Sequence, residues 1–445
     1  MHRIPSQRLL ASALALALAC SVVFAAPAPR RARAVRPPAE ASSPATPAPI
    51  ELVESVPIET SLGNPKLRHP AEVWVELIRS ATARIDLEQF YLTTWPDEPL
   101  EPVLKALVEA AKRGVSVRLL IDARMHKTYP QPVDSLGLVP GITVRAIDMG
   151  KVSGGVQHAK YFIVDGRTVF LGSQNFDWRA LDHIHELGVS IRDERVAERF
   201  QQVFDMDWAA AGLQATGADT SSIVAWPAPS AVAGGLPIRV VQSPGDTAEV
   251  WPSWSPRAFS PDSMLWDRDA IVREIDGARR EVVVQTMHFA TRDRGLVDDA
   301  FDQALRRAAS RGVSVKLIIS DWSAGTEAMK TLDSLAAVPG IEVRLSIVPD
   351  WSKGYIAYAR LDHSKYMVVD TLSAWVGTSN WEPSYFHSTR NVAVVLRDRP
   401  LARAAREVFR ANWDAMAGHP VRAGIDYPRR EHGADPPAGL IRYGN

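Results

Sequence analysis

The stretch QHAKYFIVDGRTVFLGSQN, residues 157–175, decides the fold, because a near copy, HSKYMVVDTLSAWVGTSN, returns at residues 363–380. In both copies a lysine follows a histidine by two residues, and an aspartate follows the lysine by five. The apolar, β-branched run between lysine and aspartate predicts a buried strand, on which the histidine and the lysine share one face. An imidazole beside an ammonium, present twice, is suited to attack and hold a phosphate.

The chain around these two motifs is duplicated as well. RGVSVRLLI at residues 113–121 matches RGVSVKLII at residues 311–319, and His158 matches His363 at an offset of 205 residues. Matches that keep their order at a nearly constant offset indicate duplication of a whole domain, not a short solenoid repeat.

Helical and strand patterns alternate along the chain. Residues 71–82 carry apolar side chains at helical spacing, residues 84–92 alternate as a strand, and residues 115–122 form a continuous apolar strand typical of a parallel sheet. Such alternation predicts α/β layers. We therefore predict two α/β lobes, each a mixed sheet flanked by helices, related by a pseudo-two-fold axis with the active site between them.

The composition limits the partners and the chemistry. Lys plus Arg and Asp plus Glu both number 51, so the net charge is zero and no overall basic field attracts nucleic acid. Attraction of an anion therefore has to be local to a cleft. Cys20 is the single cysteine and lies in the N-terminal apolar segment, so its removal would exclude a disulfide framework and any thiolate chemistry.

The N-terminus predicts export. Arg3 and Arg8 precede an apolar run that ends in small residues suited to cleavage near Ala26. A retained membrane anchor is the alternative, because the run is nearly long enough to span a bilayer. We expect a bacterial protein that is periplasmic or secreted, with membrane contact only through this segment. The predicted divisions of the chain are a signal segment 1–26, a Pro/Ala/Arg-rich linker 27–50, a first lobe 51–218, an irregular connector 219–261, a second lobe 262–417 and a C-terminal tail 418–445.

The two motifs carry a family resemblance. H-x-K-x4-D followed by G-S/T-x-N, found twice, resembles the phospholipase D superfamily. The flanking sequence resembles one branch of that superfamily, which holds lysosomal 5′-exonucleases and poxvirus envelope and nicking proteins. The stretches that carry this resemblance are NFDWRAL from Asn175, ELGV from Glu186, GTSNW from Gly377 and LVESVP from Leu52. The resemblance covers residues 52–417. It implies two phospholipase D-like lobes that act on a shared phosphate through a covalent phosphohistidine, with no cofactor.

The resemblance also implies the roles of the two histidines. One imidazole attacks phosphorus, and the other donates a proton to the leaving oxygen and then accepts one from water or an alcohol. By this analogy we expect His158 to be the nucleophile and His363 the acid and base. Glu186 is expected to orient a catalytic imidazole and stabilise its charged form, whereas Asn391 at the matching position has no charge.

Lysines and small polar residues complete the predicted site. Their charge and hydrogen bonds would take the place of a metal ion, and the sequence has no compact cluster with metal-ligand spacing. Asp165 and Asp370, beyond the apolar runs, are expected to be structural, as a buried ion pair or a turn cap. The predicted phosphate ligands are Lys160, Ser173, Asn175, Lys365, Ser379 and Asn380.

Several flanking residues have two interpretations. His183, His185 and His387 are expected to be ordinary surface or loop histidines, with substrate contact as the alternative. Trp178 and Trp381 are expected to pack in the core, with stacking on a base as the alternative.

The substrate stays open between two classes. The leading hypothesis is a phosphodiesterase that cleaves single-stranded DNA or RNA, and the alternative is an enzyme that hydrolyses or transfers phospholipid head groups. A basic groove with exposed aromatic residues would favour the polynucleotide, and a long apolar patch would favour the lipid. A non-catalytic surface-binding protein is a third hypothesis, although both motifs retain their histidine and lysine. No stable protein partner is implied.

Overall fold

The computed structural model describes residues 48–218, 220, 235–430, 433–437 and 439–443. The predicted signal segment, the linker up to residue 47 and Cys20 lie outside these residues, so export stays a prediction. None of the helices in the described part of the chain is both long and apolar enough to cross a lipid bilayer.

The first lobe alternates strands and helices, as the sequence predicts. Its elements are β1 (Ile50–Ser55), α1 (Pro70–Ser80), β2 (Arg84–Gln89), β3 (Leu92–Thr93), α2 (Glu101–Lys112), β4 (Ser116–Asp122), α3 (Ala123–Thr128), α4 (Pro130–Gly137), β5 (Ile142–Ile147), α5 (Met149–Val152), β6 (Tyr161–Val164), β7 (Thr168–Gly172), β8 (Phe176–Asp177), α6 (Trp178–Asp182), β9 (Ile184–Arg192) and α7 (Glu194–Thr216).

The second lobe repeats this order. Its elements are β10 (Ile238–Ser243), β11 (Asp246–Ser255), α8 (Asp267–Gly277), β12 (Glu281–Thr286), β13 (Arg292–Asp293), β14 (Leu296–Val297), α9 (Ala300–Ser310), β15 (Ser314–Ser320), α10 (Ala328–Ala336), β16 (Ile341–Ser346), β17 (Leu361–Asp362), β18 (Lys365–Val369), β19 (Ser373–Gly377), α11 (Pro383–His387), β20 (Asn391–Arg397) and α12 (Arg399–Ala415), with 3₁₀ turns at Ser263–Leu265 and Asp321–Ser323.

Each lobe is built on a mixed sheet. The strand order is β1-β9-β7-β6-β2-β4-β5 in the first lobe and β10-β11-β20-β19-β18-β12-β15-β16 in the second. The strands β2, β4 and β5 run parallel, and so do β12, β15 and β16, while the motif strands β6 and β18 join them antiparallel. Every residue of β6 and β18 is buried, as expected of a strand covered on both faces.

The structure differs from the predicted irregular connector, residues 219–261, in the second half of that segment. Strands β10 and β11 form an antiparallel hairpin there, and β11 pairs with β20 along its length. The abundance of Pro, Ser and Trp predicted irregular structure here, although Pro252 and Trp254 both pair with β20 in the ladder. Because β1 occupies the matching edge in the first lobe, where it pairs with β9, the hairpin extends the duplication.

The two lobes exchange reciprocal backbone contacts. The amide of His158 donates to the carbonyl of Arg390 at 2.9 Å, and the amide of His363 donates to the carbonyl of His185 at 2.9 Å. Because His158 matches His363 and His185 matches Arg390 in the duplication, each lobe makes the same contact on the other. That reciprocity is the signature of a two-fold interface, and the predicted fold class is confirmed.

Two buried ion pairs lie at matching positions of this interface. Arg390 donates to both carboxylate oxygens of Asp207 at 2.6 and 2.9 Å, and both side chains are fully buried. His185 lies 2.7 Å from Glu54 and 3.4 Å from Asp362 of the other lobe. The prediction of an ordinary surface or loop histidine is therefore wrong for His185, because strand β9 carries it into the interface.

Removing the arginine from the first pair should strongly destabilise the protein. Arg390→Met leaves the carboxylate of Asp207 buried without its partner, so we expect the free energy of unfolding to fall by about 3–5 kcal/mol. Urea denaturation measures this loss. Arg307→Met is the matched control, because the half-exposed Arg307–Asp276 pair should contribute less than about 1 kcal/mol. Equal losses in the two variants would contradict this account.

The second pair predicts a pH-dependent stability. Burial alone would lower the pKa of His185, but its contacts with Asp362 and Glu54 outweigh burial and raise the pKa to about 10. The stabilisation is complete below the pKa of an unfolded histidine, about 6.5, and is lost as pH rises toward 10. We expect wild-type stability to fall across this window in urea titrations, and His185→Gln to flatten the fall. An unchanged slope in the variant would contradict the assignment.

Candidate active site

The duplicated motifs meet at one cleft between the lobes. The cleft has a volume of about 370 Å³, and His158, His363, Asn175 and Asn380 all line it. Both histidines precede a motif strand, and both asparagines follow the strand that pairs with it, β7 in one lobe and β19 in the other. The fold thus brings an imidazole and an amide from each half to one place.

Each motif histidine is held by a side chain of the opposite lobe. His158 Nδ1 lies 3.0 Å from Asn391 Oδ1, and His363 Nδ1 lies 3.0 Å from Glu186 Oε2. The amide nitrogen of Asn391 donates to the carbonyl of Tyr385, so its oxygen faces the imidazole. Since both partners are acceptors, each Nδ1 carries a hydrogen. Each Nε2 is then available for chemistry in the cleft.

Burial shifts the ionisable groups of the cleft toward their neutral forms. Burial and then the neighbouring lysines hold the pKa of both His158 and His363 well below the ordinary range. Burial likewise lowers the pKa of Lys160 well below its usual value, and that of Lys365 to about 7. Burial also raises the pKa of Glu186, and Lys365 opposes the shift. An anionic phosphate in the cleft would favour the charged forms of all four bases.

The two motif lysines are buried and bond the backbone of the two histidines that line the cleft. Lys160 Nζ donates to the carbonyl of His158 at 2.5 Å, and Lys365 Nζ donates to the carbonyl of His363 at 2.6 Å. Each ammonium has three donors, so further donors remain for a bound anion. Each motif lysine is thus tied to the backbone of the histidine two residues before it.

The two asparagines present unpaired polar atoms. Asn175 Oδ1 and Asn380 Oδ1 are buried, and no hydrogen bond joins them to any residue that the structure describes. Both asparagines line the cleft, so a ligand there can reach their side chains. Because an amide oxygen only accepts, a phosphate oxygen would be bound by the Nδ2 donors. Close backbone packing sets the loop before Asn175, because a Cβ on Gly172 would lie 2.6 Å from the Cα of Gly188.

Ser173 and Ser379 are two predicted phosphate ligands that the structure places elsewhere. Neither lines the cleft. The hydroxyl of Ser173 is 3.2 Å from the amide and 3.3 Å from the carbonyl of Leu187, and that of Ser379 donates to Asp267 at 3.1 Å. The two serines are also not equivalent, since the offset of 205 pairs Ser173 with Thr378. Their prediction as phosphate ligands is corrected accordingly.

The two motif aspartates cap the starts of neighbouring strands. Asp165 accepts hydrogen bonds from the amides of Thr82, Ala83 and Arg84, each at 2.8 Å. Asp370 accepts from three successive amides in the same way, at 2.7–2.9 Å. Both aspartates have a positive φ, 52° and 53°, at the turn that follows the motif strand. These contacts are those of a turn cap and contain no ion pair.

The other flanking residues make their contacts outside the lining of the cleft. Trp381 is fully buried in the core of the second lobe, and Trp178 belongs to the core of the first. His183 is buried among aromatic rings, and His387 bonds Asp298 at 2.7 Å on the surface. Among the described residues, no group of three or more His, Cys, Asp or Glu side chains is arranged to hold a metal ion.

Sequence reasoning missed most of the cleft walls. The motif pattern does not reach them, but the duplication offers a signal: Phe90 and Tyr91 follow β2, and Met287 and His288 follow the matching strand β12. Residues that directly follow β2 and β12 lie at the same edge of each sheet as the cleft. The remaining cleft residues outside the motifs are Met125, Tyr129, Arg179, Ile184, Trp322, Tyr358, Leu361 and Tyr385.

Comparison with known proteins settles the family. Residues 74–208 and 271–413 both match the family described as cardiolipin synthase, PLD-like domain. The chain belongs to the phospholipase D superfamily. Over 84% of its length it is 31% identical to phospholipase D Z of Dictyostelium discoideum, of which 90% is covered. It is also 31% identical to the 5′-3′ exonuclease PLD3 of Bos taurus, of which 81% is covered.

A solved structure supports the fold. Phosphatidylserine synthase of Haemophilus influenzae matches with a TM-score of 0.57 at 14% identity, over 84% of this chain and 87% of that one. The predicted superfamily, its exonuclease-like branch and the phosphodiesterase class of enzyme are confirmed. Both matched segments lie inside the predicted lobes, 51–218 and 262–417.

The Glu186–His363 contact predicts a specific kinetic effect. Glu186→Gln keeps the hydrogen bond but removes the charge that stabilises protonated His363. We expect kcat to fall about 10- to 100-fold, and the alkaline limit of activity to move to lower pH. A pH profile of kcat on a chromogenic phosphodiester measures both changes.

Glu274→Gln is the control for this variant. Glu274 is a buried carboxylate of the second lobe that bonds Ser373 and Arg397, away from the cleft. Its replacement should leave the pH profile in place. A Glu186→Gln enzyme with an unshifted alkaline limit would show that the carboxylate does not act through His363.

Proposed function

We propose that the protein hydrolyses phosphodiester bonds of single-stranded nucleic acid through a covalent phosphohistidine. The observation that carries this proposal is the row of aromatic rings beside His158. The rings of Phe90 and His158 are 4.9 Å apart, those of Phe90 and Tyr91 are 5.5 Å apart, and those of Tyr91 and Tyr129 are 5.3 Å apart. All of these residues line the cleft.

Aromatic walls suit unpaired bases. Stacking of a base on an aromatic side chain contributes about 1–3 kcal/mol and tolerates any sequence. Trp322 and Tyr358 line the cleft too, with rings 6.5 Å apart, and Tyr358 is 44% exposed. Aliphatic lining residues are few among those described, namely Ile184 and Leu361. The relatives named 5′-3′ exonuclease, which match over most of their length, favour the same substrate class.

The chemistry follows from the two imidazoles. Nε2 of His158 attacks phosphorus and forms an N–P bond, while the P–O bond to the leaving group breaks. His363 donates the proton on its Nε2 to that leaving oxygen. His363 then takes a proton from water, the water oxygen bonds phosphorus and the N–P bond breaks. The products are the released alcohol, a phosphomonoester and the starting enzyme.

Charge supports this division of roles. The carboxylate of Glu186 stabilises a protonated His363, which a general acid requires. Asn391 stabilises no charge on His158, which keeps the neutral Nε2 lone pair that a nucleophile requires. Lys160, Lys365, Asn175 and Asn380 would hold the non-bridging oxygens, whose charge shifts during the reaction.

A phospholipid substrate is the second candidate. The matching family is described as cardiolipin synthase, and one relative is named phospholipase D Z. The same phosphohistidine would release or transfer a head group, with an alcohol in place of water as the acceptor. Met125 and Met287 give the cleft adaptable apolar surface that a lipid could also contact.

Parallel assays test the proposal. The protein is incubated in EDTA with an end-labelled single-stranded oligonucleotide and, separately, with phosphatidylcholine vesicles. We expect shortening of the oligonucleotide, and a loss of about 1000-fold or more in His158→Ala because the nucleophile is gone. His387→Ala, which changes a surface histidine, should behave as wild type. Consumption of lipid with an intact oligonucleotide would favour the second candidate, and turnover of neither would overturn both.

A further inference from the structure

A third imidazole on the cleft wall has no part in the mechanism above. His288 lies two residues beyond β12 and lines the cleft with both catalytic histidines. The amide of Trp381 donates to its carbonyl at 3.0 Å, which fixes His288 next to Asn380. The position is therefore set by the backbone of the site and not by a loose loop.

The hydrogen-bond partners of His288 define which nitrogen carries the hydrogen. Nδ1 lies 3.0 Å from the hydroxyl oxygen of Ser323, and that oxygen lies 3.4 Å from the carbonyl of Met287. A carbonyl can only accept, so the hydroxyl donates to it and receives the hydrogen of Nδ1. Nε2 is then an acceptor, and no described residue donates a hydrogen bond to it.

The charge state of His288 matches this assignment. Burial, with the nearby Lys365 and Arg429, lowers its pKa to about 4. The ring is therefore neutral at neutral pH and has no charge with which to hold a phosphate. It offers one lone pair, on Nε2, to a donor in the cleft.

The matching residue of the first lobe has its polar group engaged by the protein. Tyr91 follows β2 as His288 follows β12, but its hydroxyl donates to Asp177 at 2.8 Å. The first lobe thus lines the cleft with aromatic rings, whereas His288 of the second lobe offers a hydrogen-bond acceptor at the matching position. A substrate that fits both features has a flat group and a hydrogen-bond donor.

We propose that His288 is a specificity-determining residue that accepts a hydrogen bond from a sugar hydroxyl of the nucleotide in the cleft. The inference rests on the proposed function and adds the group that is recognised. In DNA a free sugar hydroxyl exists only at a chain end, whereas in RNA every nucleotide has one. In a DNA substrate, His288 would therefore favour binding of the terminal nucleotide over binding of internal nucleotides.

Chromogenic substrates isolate this contact. The 4-nitrophenyl esters of thymidine 3′-phosphate and 5′-phosphate each keep one free sugar hydroxyl, their O-methyl ethers keep none, and bis(4-nitrophenyl) phosphate has no sugar. His288→Leu should lower kcat/KM about 10-fold on at least one thymidine ester. It should change the methyl ether and the bis-nitrophenyl ester less than about twofold. His288→Gln, which keeps an acceptor, should restore part of the preference.

The controls separate the inference from the function on which it depends. His387→Leu, at a surface histidine, should leave all rates unchanged. Equal losses on every substrate, or the same preference for hydroxyl over methyl ether in wild type and His288→Leu, would overturn the role of His288 while hydrolysis of oligonucleotides still supported the proposed function. A wild type that cleaves the bis-nitrophenyl ester but neither thymidine esters nor oligonucleotides would overturn both.

Discussion

The structure depends on one reciprocal contact, in which the backbone amide of each motif histidine donates to a carbonyl of the opposite lobe. The bond fixes the distance and orientation of both imidazoles relative to the strand that carries Glu186 in one lobe and Asn391 in the other. Neither lobe therefore contains a complete site. The buried Arg390–Asp207 pair and the contacts of His185 hold the same interface, at matching positions of the duplication.

Burial then determines the charges. A histidine and a lysine in each half, all removed from water, shift toward their neutral forms, and a neutral imidazole is the form that the proposed nucleophile requires. The same burial makes the cleft a strong site for an anion, because the low-dielectric surroundings magnify any charge that the substrate restores. The neutral overall charge of the chain is compatible with this local attraction.

Much of the fold and of the motif geometry could be predicted, because the spacing of the motif residues and the duplication can both be read from the sequence. His158, Lys160 and Asn175 keep a fixed spacing along a strand and a turn, and the constant offset revealed the second copy. Contacts between distant segments leave no such trace. The cross-lobe partner of each imidazole and the aromatic walls depend on packing, which the spacing of the motifs does not encode.

Two of the errors have identifiable physical causes. The connector contained a hairpin because β11 gains a full ladder with β20, and tertiary pairing outweighed an unfavourable local composition. Ser173 and Ser379 were assigned to the phosphate by residue type alone. The duplication offset places them at different positions of the turn. There the hydroxyl of Ser173 bonds the backbone of Leu187, and that of Ser379 bonds Asp267.

The cross-lobe pairing of the imidazoles has an evolutionary consequence. A single-lobed ancestor could assemble such a site only as a symmetric homodimer, in which both histidines would face identical partners. Fusion of two gene copies into one polypeptide frees the halves to diverge. The carboxylate of Glu186 and the amide of Asn391 are the result of such divergence, since a symmetric homodimer would place the same neighbour beside each ring.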